Sequence, residues 1–372
     1  MSDNIAFVSV IVPALNAQST MPQVLEALRA SDFPRHRWEL IVVDDGSTDE
    51  TASIAARYAD TVVRLPGRNH GPAYARNRGF EVSSGEVVVF FDADVVVHRN
   101  TLRLFVEFLE AHPDVAGVFG SYDSHPADPG LMSQYRNLVH HYVHQQNPGE
   151  VASFWAGAGA LRRDVFEDAG MYDEWHFSRP QIEDIELGAR ISQMGQRCIL
   201  VPEIQVTHLK KWTLYTLVRT DLRDRGIPWA RLLAHRGALL AVGALNLKWT
   251  EKANVVVVWM ALLLFLATAG WGRAWTLYAG LACIACSLML NWKLWVFFSR
   301  TRSVWFAVRV MPAHLLYHFL NGISFILGLV LQQTFGAPLP DPTVEALHEI
   351  GLQRWPPVPS KVRKSTWTAG GD

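Results

Sequence analysis

Two acidic residues separated by one position end an apolar run in the stretch EVVVFFDADVVVHRN, residues 86–100. Burying a carboxylate is unfavourable unless a partner cancels its charge, so Asp92 and Asp94 need such a partner. In an extended segment, residues two apart point the same way, and both carboxylates can then bind one hard divalent cation. The alternative for a D-x-D considered alone is a solvated turn.

A second acidic pair, Asp44 and Asp45, follows the apolar run WELIVV. Strand-like runs alternate with helix-like segments in units of about 30 residues, which predicts an α/β domain with a mostly parallel, doubly wound, Rossmann-like sheet. Ligands of such sheets bind beyond the carboxyl ends of the strands. Both acidic pairs are therefore expected on one rim of the sheet, where a ligand would bind.

Two later stretches add groups that could act on a ligand at that rim. SFWAGAGALRRDVF, residues 153–166, is predicted as a loop of small residues before a helix, in which Gly157 and Gly159 allow close backbone approach. RPQIEDIELGARISQMG then opens a helix with Glu183 and Asp184 side by side. Adjacent helical residues do not share a face, so one of them at most could serve as a general base, and the other could cap the helix. Simple complementation of the helix dipole is the alternative role.

The C-terminal part of the chain is apolar enough to enter a membrane. Residues 253–272 and 274–292 carry no charge and are separated by Arg273, which predicts a transmembrane hairpin, and a third span is predicted over 312–332. Basic residues flank the hairpin on one side, which predicts a multi-pass protein of the cytoplasmic membrane with its first 250 residues in the cytoplasm. The net charge of -1 gives no general affinity for nucleic acid.

The predicted domain organisation follows from these shifts in composition. A catalytic domain is expected over 1–212, an amphipathic interfacial segment over 213–252, a transmembrane region over 253–335 and a tail over 336–372. The interfacial segment mixes Arg with Trp and Leu at helical spacing. Before it, His140 and His144 lie four residues apart, a spacing that zinc can use on a helix. Acceptor-site or interhelical hydrogen bonding is the favoured role for this pair, because no acid or Cys adjoins it.

Seven motifs in a fixed order resemble the family 2 glycosyltransferases, inverting enzymes with the GT-A fold, of the membrane-anchored bacterial type. The resemblance runs from Val8 to Trp229. Each motif is weak alone, and the seven together are specific: VSVIVPALNA, IVVDDGSTDET, GPAYARNRG, FFDAD, FWAGAGALRRDVF, RPQIEDIELG and VTHLKKW.

The resemblance implies a role for each matching position. The nucleotide pocket would comprise Pro13, Ala14, Asn16, Asp44, Asp45, Arg76 and Asp92. The metal on the diphosphate, Mg2+ or Mn2+, would be held by Asp92, Asp94 and His208. Asp184 would be the general base, with Glu183 beside it in the same motif, and the sugars of donor and acceptor would lie against Trp155, Gly157 and Gly159.

These implications predict sugar transfer from a nucleotide-sugar donor, a UDP-sugar by family habit, to a hydroxyl of a lipid-linked acceptor. A hydroxyl needs a base such as Asp184, whereas a polyprenyl phosphate is already an anionic nucleophile and remains the alternative acceptor. Processive polysaccharide synthesis is a further alternative. Synthases of this superfamily carry a Q-x-x-R-W motif, and this chain keeps the spacing of Arg225 to Trp229 in RGIPW, without the Gln and with Pro228 interposed. Arg225 and Trp229 are therefore predicted as acceptor or interface residues.

Overall fold

The computed structural model describes residues 7–235 and 248–338. Residues 236–247 of the predicted interfacial segment, and all of the predicted tail beyond residue 338, lie outside the described residues. The described chain divides into two compact units, of which the first comprises the residues up to Asp123 and Asn147–Leu209, and the second Ser124–Gln146 and Lys210–Pro338. The stretch Ser124–Gln146 therefore groups with the C-terminal helices, although the sequence places it within one domain over 1–212.

The first unit is built on a mixed sheet. Within the described residues its strands are β1 (Val8–Ala14), β2 (Trp38–Asp44), β3 (Thr61–Arg64), β4 (Val87–Phe91), β5 (Val95–Val97), β6 (Gly117–Tyr122), β7 (Gly149–Val151), β8 (Ala158–Arg162) and β9 (Cys198–His208). Their order is β3-β2-β1-β4-β8-β6-β9-β5, with β7 paired to β9. The unit's helices are α1 (Met21–Arg29), a 3-10 turn (Arg35–Arg37), α2 (Thr51–Ala55), α3 (Pro72–Glu81), α4 (Thr101–Ala111), α6 (Arg163–Asp168) and α7 (Glu183–Gln193).

The N-terminal half of the sheet is parallel, as the strand and helix alternation predicts. In the register of β1 with β2, Ala14 lies opposite Asp44, and in the register of β1 with β4, Ile11 lies opposite Phe90. Parallel strands end at the same edge of the sheet. The acidic pairs at the carboxyl ends of β2 and β4 therefore lie on one rim, as the sequence indicates.

The other half of the sheet contains antiparallel pairs, and one of them corrects a prediction. The stretch 158–162, expected as part of a loop, is strand β8, which pairs with β4 so that Gly159 lies opposite Phe90. A Cβ at Gly159 would lie 2.5 Å from the ring of Phe154, so the small residues of this stretch are required by packing. Small residues have low β propensity and do not reveal a central strand of this kind from the sequence.

The second unit is helical throughout its described part. It contains α5 (Leu131–Gln145), α8 (Leu214–Arg219), a π-helical turn (Thr220–Gly226), α9 (Ile227–His235), α10 (Trp249–Trp271), α11 (Ala274–Leu290), α12 (Trp292–Thr301) and α13 (Val304–Phe335). A core of aromatic and aliphatic side chains joins α5, α12 and α13, and includes Tyr135, Leu138, Trp295, Phe298 and Val310.

Two of these helices, α10 and α13, are long and apolar enough to cross a bilayer. The pair α11 and α12 bends by 60° at Asn291, and would make a third span if the pair is counted as one. The sequence predicts a span over 274–292, and α11 covers 274–290 of it. At the point where α11 ends, the Asn291 side chain donates to Ser287 O at 3.0 Å and to Asn254 Oδ1 at 3.0 Å. The third predicted span, 312–332, lies inside α13, which starts eight residues earlier, at Val304.

Candidate active site

The rim of the sheet begins with two loops that are joined by Asn16. Asn16 has a φ of 48°, a left-handed conformation that asparagine adopts more readily than most residues. Its Oδ1 accepts from the backbone N–H of Thr48 at 2.9 Å, and its own N–H donates to Ser47 Oγ at 2.9 Å. The loop after β1 is thereby fixed against the loop after β2. Asn16 is exposed at this edge, next to the buried Ala14 and the half-buried Pro13.

The two acids after β2 have different surroundings. Asp45 is buried and accepts from the N–H groups of His70 and Gly71, at 2.9 and 2.8 Å, and its Oδ1 lies 3.0 Å from His70 Nδ1. Burial raises the pKa of the Asp45 carboxyl, although these contacts oppose the shift. Asp44 accepts from the Ser47 N–H through Oδ1 at 3.1 Å. Asp45 is thus used to hold the loop before α3, whereas Asp44, also buried, contacts the turn that follows β2.

Arg76, on α3, connects the D-x-D stretch to the E-D motif. Its side chain is 4% exposed, and it donates to Asp92 Oδ1 at 2.7 Å and to Glu183 Oε1 at 3.0 Å. The ring of Tyr172 lies 5.3 Å from the guanidinium carbon. Burial would lower the pKa of Arg76, but the charges of Asp92 and Glu183 outweigh it and hold the pKa above its ordinary value. Arg76 is therefore a permanent cation that positions two acidic motifs far apart in sequence.

The neighbouring acids Glu183 and Asp184, at the start of α7, differ in their contacts and in their burial. Glu183 is 5% exposed, and besides Arg76 it accepts from the Gln181 N–H at 2.9 Å. Asp184 is half-buried, and its carboxylate accepts from the N–H of Ile185 at 2.8 Å and of Ala156 at 3.3 Å. Glu183 is consequently neutralised inside the protein, whereas Asp184 stays accessible and is held toward the segment that precedes β8.

The predicted metal ligands meet in part. Antiparallel pairing of β5 with β9 sets Val95 opposite His208, and this brings Asp94 Oδ2 to 3.6 Å from His208 Nε2. The two atoms are close enough to bind one divalent cation together. Asp92, in contrast, is bound to Arg76, and the described residues contain no group of three or more His, Cys, Asp or Glu side chains arranged for a metal ion. Two protein ligands fit a cation whose remaining ligands are substrate phosphates and water.

An aromatic stack borders this pair of ligands. The ring of His208 stacks on Tyr122, with centroids 4.2 Å apart, and Tyr122 makes an edge contact with Trp155 at 4.7 Å. A Cβ at Gly157 would lie 2.6 Å from the Trp155 indole. Gly157 therefore admits the tryptophan ring, and both predicted glycines serve the packing of aromatic side chains in this structure.

The remaining predicted positions belong to the second unit. His140 and His144 lie on α5 with ring centroids 4.1 Å apart, so the helical spacing does bring them together. Arg225 is half-buried in the π-helical turn, and Trp229 is half-buried in the first turns of α9. Pro228 is the second residue of α9, where a proline is compatible with a helix.

Three aromatic contributors to the rim were not found from the sequence. His70 follows no strand and precedes α3, Tyr122 ends β6, and Tyr172 lies in the loop before α7. The position of Tyr122 at the carboxyl end of a strand is the one signal that could have identified it. His70 and Tyr172 act through contacts with Asp45 and Arg76 that connect distant parts of the chain.

Comparison with known proteins agrees with this geometry. Residues 9–170 match the sequence model described as glycosyl transferase family 2. The chain is 35% identical over 108 residues to the poly(ribitol-phosphate) β-N-acetylglucosaminyltransferase TarS of Staphylococcus aureus. The matched residues are 28% of this chain and 19% of TarS. It is 35% identical over 123 residues to the undecaprenyl-phosphate 4-deoxy-4-formamido-L-arabinose transferase of Pseudomonas syringae, covering 32% of this chain and 36% of that protein. The chain thus spans well under half of either relative.

A solved structure resembles the chain over most of its length. The mannosyltransferase PcManGT from Pyrobaculum calidifontis, in complex with GDP-Man and Mn2+, superposes with a TM-score of 0.52 at 22% sequence identity, over 90% of this chain and 89% of that one. At this identity the likeness concerns the fold. Together with the family match over residues 9–170 and the acids gathered on one rim of the sheet, it shows that the chain carries a glycosyl transferase family 2 domain with the GT-A fold.

Proposed function

We propose that this protein is a membrane-anchored, inverting glycosyltransferase. It would transfer a sugar from a nucleotide-sugar donor, in the first instance a UDP-sugar, to a hydroxyl of a lipid-linked acceptor. The enzyme would be a multi-pass protein of the cytoplasmic membrane with its catalytic domain in the cytoplasm. The helices α10 and α13, which are long and apolar enough to span a bilayer, support the membrane location.

The difference between Glu183 and Asp184 carries this proposal. Arg76 neutralises Glu183, whereas Asp184 remains half-buried and accessible at the start of α7. A carboxylate in that state can accept the proton of a hydroxyl as it attacks the sugar. One accessible base and a separate metal site suit a single displacement, in which the acceptor attacks from the face opposite the departing diphosphate. Inversion at the anomeric carbon follows from that geometry.

The donor would bind along the rim from Asp44 to His208. Asp94 and His208 would hold a divalent cation, Mg2+ or Mn2+, and the bound cation would neutralise charge on the departing diphosphate. Asp92 would act with Arg76 in fixing this edge of the pocket. Trp155 lies between the aromatic stack on His208 and the segment whose Ala156 N–H contacts Asp184, a position that suits contact with a sugar ring.

The first test is replacement of Asp184 by Asn, which keeps the side-chain size and the acceptor for the Ile185 N–H. We expect the rate of transfer to a hydroxyl acceptor to fall at least about 100-fold, while nucleotide affinity measured by calorimetry stays within about twofold. Glu203→Gln removes one exposed carboxylate elsewhere on β9 and should leave the rate unchanged. Full activity of the Asp184→Asn protein would overturn the assignment of the base.

The relatives differ in acceptor, and the second test distinguishes the two classes. TarS is named for transfer to poly(ribitol phosphate), and the Pseudomonas relative for transfer to undecaprenyl phosphate. Purified full-length protein would be incubated with membrane lipid extract, Mg2+ or Mn2+, and radiolabelled UDP-, GDP- and TDP-sugars. An extractable product stable to mild acid supports the hydroxyl acceptor. An acid-labile product identifies a polyprenyl phosphate sugar, and label only in insoluble polymer identifies a processive synthase.

A further inference from the structure

Asp45 and His70 form a buried pair on the rim of the first unit. Asp45 directly follows β2, and His70 precedes α3. Oδ1 of Asp45 lies 3.0 Å from Nδ1 of His70, and the two side chains are 5% and 8% exposed. The carboxylate also accepts from the backbone N–H of His70, at 2.9 and 3.1 Å from its two oxygens, and from the Gly71 N–H at 2.8 Å. Three N–H groups thus fix the Asp45 carboxylate.

These contacts determine which ring nitrogen of His70 carries a proton. An ionised carboxylate only accepts hydrogen bonds, so Nδ1 donates to Asp45 and carries the proton of the neutral ring. Nε2 then keeps its lone pair, and the carboxylate makes it a stronger acceptor. Among the described residues no group is hydrogen-bonded to Nε2, and Nε2 is not one of the fully buried nitrogens that lack a partner there. His70 therefore presents an accessible hydrogen-bond acceptor on the rim.

The His70 ring is held on its face as well as at its edge. The ring of Tyr74, in the first turn of α3, stacks on it with centroids 4.7 Å apart and an interplanar angle of 21°. Gly71, between the two, has a φ of 98°, a conformation that favours glycine and lets two consecutive N–H groups reach one carboxylate. The ring has little rotational freedom left, so the direction of the Nε2 lone pair is set before a ligand binds.

The position of the pair in the sheet indicates which part of the donor it would meet. One strand, β1, separates β2 from β4, so Asp45 lies two strand spacings, about 10 Å, from the acids that follow β4. The proposed metal and the diphosphate would lie beyond β4, with Asp94. A nucleotide whose diphosphate is bound there can reach β2 with its base, because the ribose lies between the two. The pair therefore lies at the base end of the proposed donor site.

We infer that Nε2 of His70 accepts a hydrogen bond from the base of the donor nucleotide and selects bases that carry a ring N–H. Uracil and thymine have such a group at N3, and guanine has one at N1. Cytosine at N3 and adenine at N1 have a lone pair instead, which would face the lone pair of Nε2. The inference rests on the proposed transfer from a nucleotide sugar, and it names the residue that reads the base. Asp45 is a positioning residue, since it acts by setting the tautomer of His70.

Binding of UDP, CDP, GDP and ADP to the full-length protein in detergent, measured by calorimetry, tests the inference without any transfer reaction. In whichever pair binds, we expect the base with the ring N–H to bind at least about tenfold more tightly, UDP than CDP or GDP than ADP. His70→Phe keeps a ring that can stack on Tyr74 but removes the acceptor, so this preference should disappear. His112→Gln changes an exposed histidine after α4, at the edge of the sheet where β6 begins, and should bind like the wild type.

Asp45→Asn should reverse the preference. The Asn Oδ1 can take the place of Asp45 Oδ2, which lies 2.8 Å from Gly71 N and 3.1 Å from His70 N, so both backbone N–H groups keep an acceptor. The Asn amide N–H would then donate to Nδ1, and the proton of the neutral ring moves to Nε2. Because Nε2 becomes a donor, CDP should bind this variant more tightly than UDP. A role of Asp45 in loop structure alone would instead weaken all nucleotides alike.

Three results would overturn the inference. Equal binding of UDP and CDP, and of GDP and ADP, by the wild type would show that His70 does not read the base. An equal loss of affinity for both members of a pair in His70→Phe would assign His70 to the ribose or the diphosphate. An unchanged preference in a folded Asp45→Asn protein would show that the tautomer is not decisive. If that variant fails to fold, the wild type and His70→Phe decide alone. A wild type that binds no nucleotide would also contradict the proposed transfer, whereas binding without base preference contradicts this inference only.

Discussion

The first unit collects charged side chains around Arg76, whereas the second unit buries a chain of neutral polar groups between its helices. In the first, one guanidinium contacts Asp92 and Glu183, and the charges of Asp94 and Asp184 act on the same cluster. In the second, Asn254 Oδ1 accepts from Ser287 Oγ at 2.8 Å and from Asn291 Nδ2 at 3.0 Å. Farther along that chain, His314 lies 3.0 Å from Tyr135 Oη and 3.3 Å from Asn291 Oδ1.

The two sets of residues differ in the kind of partner that suits them. In the charged cluster Arg76 pairs with two carboxylates, Asp92 and Glu183, and Asp94 lies 3.6 Å from His208, a combination of acids and a histidine that suits a metal ion. The neutral network pairs its side chains with one another and with backbone carbonyls of their own helices, as polar groups buried in a helical membrane region need to do. We therefore assign ligand chemistry to the first set and helix packing to the second.

Removing Arg76 should have the largest effect. In the Arg76→Met protein, Asp92 and Glu183 lose their common cation, and breaking a buried ion pair in this way costs about 3–5 kcal/mol of folding free energy. We expect a large fall in melting temperature in detergent together with loss of transfer. Arg103→Met is the matched control, because Arg103 pairs with Asp32 and Glu107 on the surface, where such pairs contribute about 1 kcal/mol or less. Similar melting of both variants would contradict the assignment of Arg76 as the centre of the cluster.

Glu174, another buried acid of the first unit, should make the stability of the protein depend on pH. It is 1% exposed, accepts from Asn77 Nδ2 at 2.6 Å and lies 3.2 Å from Arg78 Nη2. Burial raises the pKa of Glu174 to about 7, against the opposing effects of Arg78 and Asn77, while Glu81 and Asp173 add to the rise. A carboxyl whose pKa is higher in the folded state stabilises that state at low pH, and this contribution is lost as the pH rises through about 7.

The Glu174→Gln protein removes this titration and should show the sign directly. Its melting temperature should match the wild type near pH 5 and exceed it above about pH 8, by an effect of at most about 3 kcal/mol. Thermal unfolding from pH 5 to pH 9, followed by intrinsic fluorescence, would measure the difference. A constant difference across this range would show that Glu174 is ionised throughout, held by Arg78.

Much of this arrangement was predictable where local pattern and strand direction agree. Asp44 and Asp92 follow apolar runs that became parallel strands β2 and β4, and the rule for carboxyl ends places them on one rim. The pairing of Asp94 with His208 could be predicted only from the resemblance to a known family. The two residues are separated by 113 residues of chain, and the antiparallel pairing of β5 with β9 brings them together.

Other features depend on contacts that no local pattern encodes. Gly157 and Gly159 suggest a loop, yet they serve the packing of Trp155 and Phe154 beside strand β8. Arg76 resembles a nucleotide ligand by its motif, and its ion pair with Glu183 joins residues 107 positions apart. The bend at Asn291 is likewise invisible in an uncharged run, because hydropathy does not register one amide that finds partners on another helix.

The smallest expected effect concerns one hydrogen bond of the neutral network, between Asn254 and Ser287. A double-mutant cycle with Asn254→Ala and Ser287→Ala should give a coupling of about 0.6 kcal/mol and no more than about 1.7, the range for hydrogen bonds between membrane helices. Reversible unfolding in mixed micelles would measure it. The pair Thr268 and Thr276, whose Oγ1 atoms are 2.7 Å apart, is the control; each hydroxyl also contacts a carbonyl of its own helix or turn, so its coupling should be smaller. A coupling for Asn254 and Ser287 as large as the loss on removing Arg76 would mean that the neutral network, too, holds a poorly compensated group.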